Sequence, residues 1–343
     1  MIAINQDSEK HVTSPRLIEV RSFRMPPQGD APRPVGIVAE AEEVLLQGEA
    51  AAVGLDIKSP KINQCSSTAI TFNGGSIGTA DAVQLLYWTS IWQTLPDPSN
   101  PGQLLQNTFT AAVQSILAGP WIAGLRQYGI RPCPFGGSHI ITSPNPPFAP
   151  NTFTCGDVQW IVNSLIDEGF FPEPDDPGGR NLYIVLMPPN TQFNPGGGPP
   201  ARGAHSYTST GGVFDPDNEW VAWIGSQALS GMTSTFCHEL AEMCTDPEPS
   251  SGWYFNGAPT GCTEIGDLCN NVNTQLNGVT VESYWSSFDN ACLVPTAFSL
   301  RRALIWAIQT SGLLPTVAKT LGGQGLRSIQ SPIPSLLQFI KNL

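Results

Sequence analysis

The sequence predicts a loop-rich mixed α/β domain of the α+β type, with a twisted mixed sheet and one long helix packed beneath it. Three observations lead there. Strand-length apolar runs alternate with stretches of helical spacing. Gly and Pro make up 34 and 32 of the 343 residues, about 19% against roughly 12% on average. Charged residues are only 13% and hydrophobic ones 41%, which suits a buried core and excludes a disordered chain, a coiled coil or a collagen.

Along the chain, residues 1–34 are mostly polar and punctuated by Pro15, Pro26, Pro27, Pro32 and Pro34, the pattern of a flexible arm. Val35–Val38 begins an apolar run that suits a strand or an early helix. Ser67–Phe72 alternates and ends at Gly74-Gly75, a strand and turn signal. Leu85–Trp92 is apolar and aromatic and breaks at Pro96-Asp97-Pro98. Asn107–Ala118 has helical spacing through Phe109, Val113 and Leu117, and Gly119-Pro120 stops it. A second helix is expected over Gly156–Asp167. Leu182–Met187, apolar throughout, reads as a buried central strand. Pro195–Pro200 is a Gly/Pro loop, and Gly196-Gly197-Gly198 lacks the Lys-Ser/Thr pair of a phosphate loop. His205–Thr208 and Trp220–Ile224 read as strands, and Gln227–Thr245 as a helix ended by Asp246-Pro247. The remainder to Pro295 reads as loop. These segments divide into an arm and lead-in (1–59), a central domain (60–297) and a basic amphipathic helical tail (298–343).

Charge follows the same division. The chain carries a net charge of −12, yet residues 64–298 hold 19 acidic residues against four Arg and no Lys, while 299–343 holds five basic residues and no acid. The acidic body excludes nucleic acid as a partner, because phosphate binding needs Lys and Arg, and it suits cations. The basic tail suggests self-association or docking on a surface, with an anionic membrane surface as the runner-up. No apolar run reaches the roughly 18 residues of a membrane span. Eight Cys without a CxxC pair, in a chain poor in Lys, read as a disulfide-bonded extracellular protein. Against this, Met1–Arg24 contains no apolar stretch of the kind that an export signal carries.

Chemistry concentrates on the expected helix Gln227–Thr245. His238-Glu239-Leu240-Ala241-Glu242 is an H-E-x-x-E pattern. Residues i and i+4 share a helix face, so His238 and Glu242 can hold one cation, and Glu239 can reach a water on it. This is the geometry of H-E-x-x-H in zinc peptidases with one His replaced by a carboxylate. Glu242, Asp246 and Glu248 also crowd the helix C-terminus, where the macrodipole disfavours anions by about 0.3–1 kcal/mol each. Glu264 and Asp267 follow: one as third ligand, the other orienting the histidine, with Glu264 the first choice and the roles exchangeable. His205 is a further ligand, a donor to substrate or a satisfied structural histidine, Asp246 an alternative ligand, and Trp253 and Tyr254 the walls of a substrate cleft or lids on the core. His139 reads as a loop residue.

The stretch from His238 to Pro247, followed by Gly252-Trp253-Tyr254, Glu264 to Cys269, Ser283 to Ser286 and Asn290 to Cys292, resembles the phosphate-induced, exordium-like family. The likeness extends upstream to Leu86-Tyr87-Trp88, Leu117 to Pro120, Gln127 to Gly129 and Leu182 to Leu186, and so covers roughly residues 63–295. It implies an exported protein with a zincin-like helix, and it carries over His238, Glu239, Glu242, Asp246, Glu264 and Asp267 as an acidic cluster. Cys269 and Cys292 match family cysteines; Cys237, Cys244, Cys262 and the basic tail depart from the pattern. A Cys269–Cys292 disulfide is expected, then Cys244–Cys262 and Cys133–Cys155.

Together these readings predict a zinc-dependent hydrolase, a peptidase or amidase acting on a peptide or cell-wall polymer. His238, Glu242 and Glu264 would bind zinc, and Glu239 would serve as general base. The alternative is a non-catalytic extracellular or cell-wall-associated binding protein with a structural metal, calcium or another divalent cation replacing zinc.

Overall fold

The computed structural model describes residues 70–74, 77–78, 80–131, 133–143, 151–193, 201–207, 219–248, 251–255, 258, 261–286 and 289–296, with Cys65 and the backbone of 16–19, 35–39, 44–45 and 57–59. The expected helical tail, residues 299–343, and the loop Pro195–Pro200 lie outside the described residues.

Seven strands make the main sheet: β1 (Arg16–Glu19), β2 (Val35–Ala39), β3 (Ala82–Trp88), β4 (Phe135–Ser143), β5 (Asn181–Leu186), β6 (Ala201–Tyr207) and β7 (Trp220–Ile224). Their order is β1-β4-β3-β5-β7-β6-β2. The five strands from β1 to β7 in that order run parallel. β6 is antiparallel to both β7 and β2. The fold is thus mixed α/β. Both edge strands come from the segment expected to be an arm and lead-in: β1 pairs with His139–Ser143, and β2 with Ala201–His205. Backbone pairing at a sheet edge satisfies main-chain donors and acceptors, and Arg16–Glu19 does this despite its polar surroundings.

Period-two alternation sends each central strand to two cores. Val83, Leu85 and Tyr87 of β3, with Leu182, Ile184, Ala222 and Ile224, face α1 (Leu105–Ala118) and α3 (Leu229–Thr245). Leu86 and Trp88, with Tyr183, Val185, Val221 and Trp223, face α2 (Cys155–Asp167). Being buried on both sides explains the unbroken apolar run at Leu182–Leu186. α1 presents Leu105, Phe109, Val113 and Ile116 inward, and Phe109 meets Phe236 of α3 edge-on at 6.1 Å. Extended Gly119 ends α1, and Pro120 opens a further turn, Pro120–Ala123. α2 starts with a capping box: Asp157 N donates to Thr154 Oγ1 at 3.3 Å, and Thr154 N to Asp157 Oδ2 at 2.7 Å. The stretch Leu105–Tyr128 is long and apolar enough to cross a membrane, but its 18-residue window is 72% buried inside the domain. It is helical core structure broken at Gly119-Pro120.

After α3 the chain is richer in strands than its composition suggests. Two hairpins follow, β8 (Val272–Leu276) with β9 (Val279–Glu282), and β10 (Tyr284–Ser286) with β11 (Ala291–Val294). The first turns at Asn277-Gly278, with φ of 53° and 79°, the left-handed pair that a tight two-residue hairpin requires.

Disulfides join Cys65 to Cys262 and Cys269 to Cys292. The second is as expected. Cys262 pairs with Cys65 rather than Cys244, because Cys244 lies on α3 with its thiol hydrogen-bonded to that of Cys133. That contact likewise separates Cys133 from Cys155, which starts α2 on the opposite face of the sheet. The two bridges suggest an oxidising, extracellular-type environment.

Peptide mapping without reduction is expected to recover Cys65–Cys262 and Cys269–Cys292. Replacing both Cys269 and Cys292 by Ser should lower stability by about 3 kcal/mol, since their bridge closes a loop of intermediate length. Recovery of a Cys244–Cys262 peptide, or no loss of stability in the double variant, contradicts the arrangement.

Candidate metal centre

Three segments converge on the middle and C-terminal turns of α3. Helical phase puts Ser234, His238 and Glu242 on one stripe, four residues apart, and Thr235 and Glu239 on the next. Strand alternation on β6 turns Gly203 and His205 toward α3, while Ser206 turns away and accepts from Gln159 of α2 at 3.2 Å. The segment 261–269 brings Glu264 and Asp267. It is tied down by both disulfides and by Trp285 N donating to Ile265 O at 2.8 Å. β9 brings Glu282.

His238 is fixed first. Its Nδ1 lies 2.7 Å from Glu282 Oε1, and its Nε2 lies 3.0 Å from Glu242 Oε1. Glu282 is fixed in turn, its Oε2 accepting from Ser234 Oγ at 2.8 Å. Across the cluster, His205 Nδ1 lies 3.3 Å from Glu239 Oε2 and 3.5 Å from Glu242 Oε2, and His205 Nε2 lies 3.5 Å from Glu264 Oε1. Asp267 N donates to Glu242 Oε1 at 3.1 Å. Asp267 Oδ2 accepts from Thr263 N, Thr263 Oγ1 and Glu264 N.

All seven of these His, Glu and Asp residues are at most 1% exposed. Among the described residues, the ion pairs of this cluster come from histidine alone. Several donor atoms have no hydrogen-bond partner: Nε2 of both histidines, Oε1 of Glu239, Oε2 of Glu242, both oxygens of Glu264 and Oδ1 of Asp267. Buried ionisable atoms without partners are costly. Protons relieve part of that cost. Burial pushes Glu239 up to about 8 against the hydrogen bond from His205, and burial with Glu242 pushes Asp267 to about 6 and Glu264 well above its ordinary range. Burial pulls both histidines down, yet the carboxylates around them carry both well above the usual imidazole value. Glu242 is the exception: despite burial, the two histidines hold it at about 2.

The donor set suits a divalent cation. Two groups have donor atoms all within 4.8 Å of one another: His238, Glu242 and Asp267, and His205, Glu239 and Glu242. Imidazole with carboxylate is a zinc-compatible set, whereas calcium takes oxygen ligands. Asp267 thus joins His238 and Glu242 in the place first expected of Glu264, the exchanged arrangement, and Glu264 sits across the cluster against His205.

Other expected residues are placed as follows. Asp246 Oδ1 accepts from Ser251 N at 2.9 Å and Gly252 N at 2.6 Å, so this carboxylate closes the turn after α3. Trp253 covers the core: its Nε1 donates to Tyr128 O, and its ring packs on Tyr128 and Phe72. Tyr254 is half-buried and borders the cluster. Burial raises its phenol, and the charges of Glu264, Asp246 and Asp267 raise it further. His139 lies on β4, not in a loop, against Gln84 and the Phe171 ring. Sequence reasoning missed Glu282 and Ser234. The signal for Glu282 was present: Asn277-Gly278 between Val272, Thr274, Leu276 and Val279, Val281 is a hairpin pattern.

Two glycines keep room for the carboxylates. A Cβ on Gly266 would stand 2.7 Å from Glu242 Oε1, and one on Gly203 would stand 2.8 Å from Glu239 Oε1 and 2.4 Å from Thr235 Cγ2. Gly266→Ala is therefore expected to displace the Glu242 carboxylate and weaken zinc binding. Glu282→Gln, which weakens the orienting bond to His238, should lower zinc affinity about 10–100-fold. Competition with a chromophoric chelator measures both, and unchanged affinity in Glu282→Gln removes Glu282 from the site.

Comparison with models of protein families, with curated proteins and with solved structures finds no match for this chain.

Proposed function

We propose that the protein is a zinc-dependent hydrolase, a peptidase or amidase acting on a peptide or cell-wall polymer outside the cell. In this reading its helix is zincin-like and its kinship lies with the exordium-like proteins. The observation that carries the proposal is the buried donor set of α3: His238 Nε2 lies 3.0 Å from Glu242 Oε1, and Glu242 Oε2 and Glu239 Oε1 have no hydrogen-bond partner.

His238, Glu242 and Asp267 are the residues that would hold the ion. A bound zinc ion supplies a Lewis acid for the scissile carbonyl and a water of lowered pKa. Glu239 is suited to take a proton there. Its Oε2 is held by His205 Nδ1, its Oε1 has no hydrogen-bond partner, and burial raises its pKa to about 8. His205 orients Glu239 as Glu282 orients His238.

One observation favours a second reading, a binding protein with a structural metal. Every donor is at most 1% exposed, and a closed metal shell is the mark of a structural site. Digestion of a peptide library separates the two. If the parent protein cleaves, Glu239→Gln should lower turnover by about 10²–10⁴-fold and keep its metal, because Gln retains the shape of Glu and cannot accept the proton. Glu242→Ala should lose metal and activity together. Full activity in Glu239→Gln excludes this mechanism. Tightly held metal with no cleavage of any peptide supports the structural reading.

A further inference from the structure

The geometry points to a second divalent-cation position in the same cluster, held by His205 Nε2 and Glu264. The inference rests on the metal-binding reading above and goes beyond its single ion.

Two Glu–His pairs repeat one design. Glu282 holds His238 at Nδ1, and Glu239 holds His205 at Nδ1, at 2.7 and 3.3 Å. With Nδ1–H kept on the carboxylate, loss of the second ring proton to an incoming cation leaves each ring an Nε2 lone pair facing inward. Both Nε2 atoms are buried without a hydrogen-bond partner. An unpartnered imidazole nitrogen in the interior is the state of a metal ligand before its metal, and here there are two.

His205 Nε2 also has its own carboxylate. Glu264 Oε1 is 3.5 Å away, and neither oxygen of Glu264 has a hydrogen-bond partner, although the residue is 0% exposed. Glu242 then divides its oxygens, Oε1 at 3.0 Å from His238 Nε2 and Oε2 at 3.5 Å from His205 Nδ1. Glu242 thus places one carboxylate between the two histidines, on the Nδ1 side of His205. The two donor groups, His238–Glu242–Asp267 and His205–Glu239–Glu242, share Glu242 and separate the two histidines, and Glu264 faces His205 from the Nε2 side. Charge agrees. Glu239, Glu242, Glu264, Asp267 and Glu282 carry five negative charges when ionised, and two divalent cations leave one unmatched where a single cation leaves three.

The test is the metal content of the full-length protein, stripped with chelator and titrated with zinc or with manganese. The inference expects two ions per chain. It also expects a spin-coupled signal from the manganese form, which needs no mutation and reports ions held close together. His205→Gln and Glu264→Gln should each fall from two ions to one and lose the coupled signal, while the remaining ion stays bound. Saturation at one ion, with an uncoupled manganese signal, overturns the second position and leaves the single-metal reading intact. No uptake of either metal overturns both.

Discussion

Carboxylates gathered in a protein interior and paired, among the described residues, with histidine alone set the terms for everything else in this structure. Removing an ionised carboxylate from water costs several kcal/mol even after relaxation, and Glu239, Glu242, Glu264, Asp267 and Glu282 are all at most 1% exposed. Two histidines, two hydroxyls and a few backbone amides meet part of the demand. The rest falls on retained protons or on a cation. Binding of a cation displaces the protons, so one chemistry explains both the raised Glu239, Glu264 and Asp267 and the open lone pairs around them.

The surrounding fold holds this arrangement in place. β6, the one antiparallel strand among its neighbours in the sheet, brings His205 over α3, and Gly203 beside it leaves space for Glu239. The segment bearing Glu264 and Asp267 has almost no regular structure of its own. It is held by Cys65–Cys262, by Cys269–Cys292, by the Trp285 backbone and by the buried side chains of Ile265 and Leu268. Asp246 closes the turn that leads from the helix into this segment. Acidic ligands at the end of a helix are disfavoured by its dipole, so outside anchorage is what keeps them there.

Much of this was legible in the residues. The i, i+4 spacing of His238 and Glu242 is local, and a helix converts it directly into a shared face. The unbroken apolar run at Leu182–Leu186 and the stop at Asp246-Pro247 are local as well. The illegible parts depend on tertiary pairing. Glu282 meets His238 only because the Asn277-Gly278 turn folds β9 back under α3, and a reading of residues 250–295 as loop removes that strand from view. Glu264 and Asp267 exchange places for a similar reason: their spacing from Glu242 is the same in both arrangements, and the backbone of the anchored segment decides between them. β1 was hidden because edge pairing uses main-chain groups and leaves little trace in side-chain pattern. Cys262 pairs with Cys65 at a sequence separation of 197, which no local rule reaches.

The central claim is that the cluster is completed by a cation, and thermal unfolding of chelator-stripped protein with and without zinc tests it most directly. Saturating zinc at about 100 times its dissociation constant should add about 2.7 kcal/mol of stability, which for a domain of this size raises Tm by about 5–10 °C. Magnesium, which prefers all-oxygen octahedral sites, should add much less. An identical Tm with chelator and with zinc would contradict the account and leave a cluster balanced by protons alone.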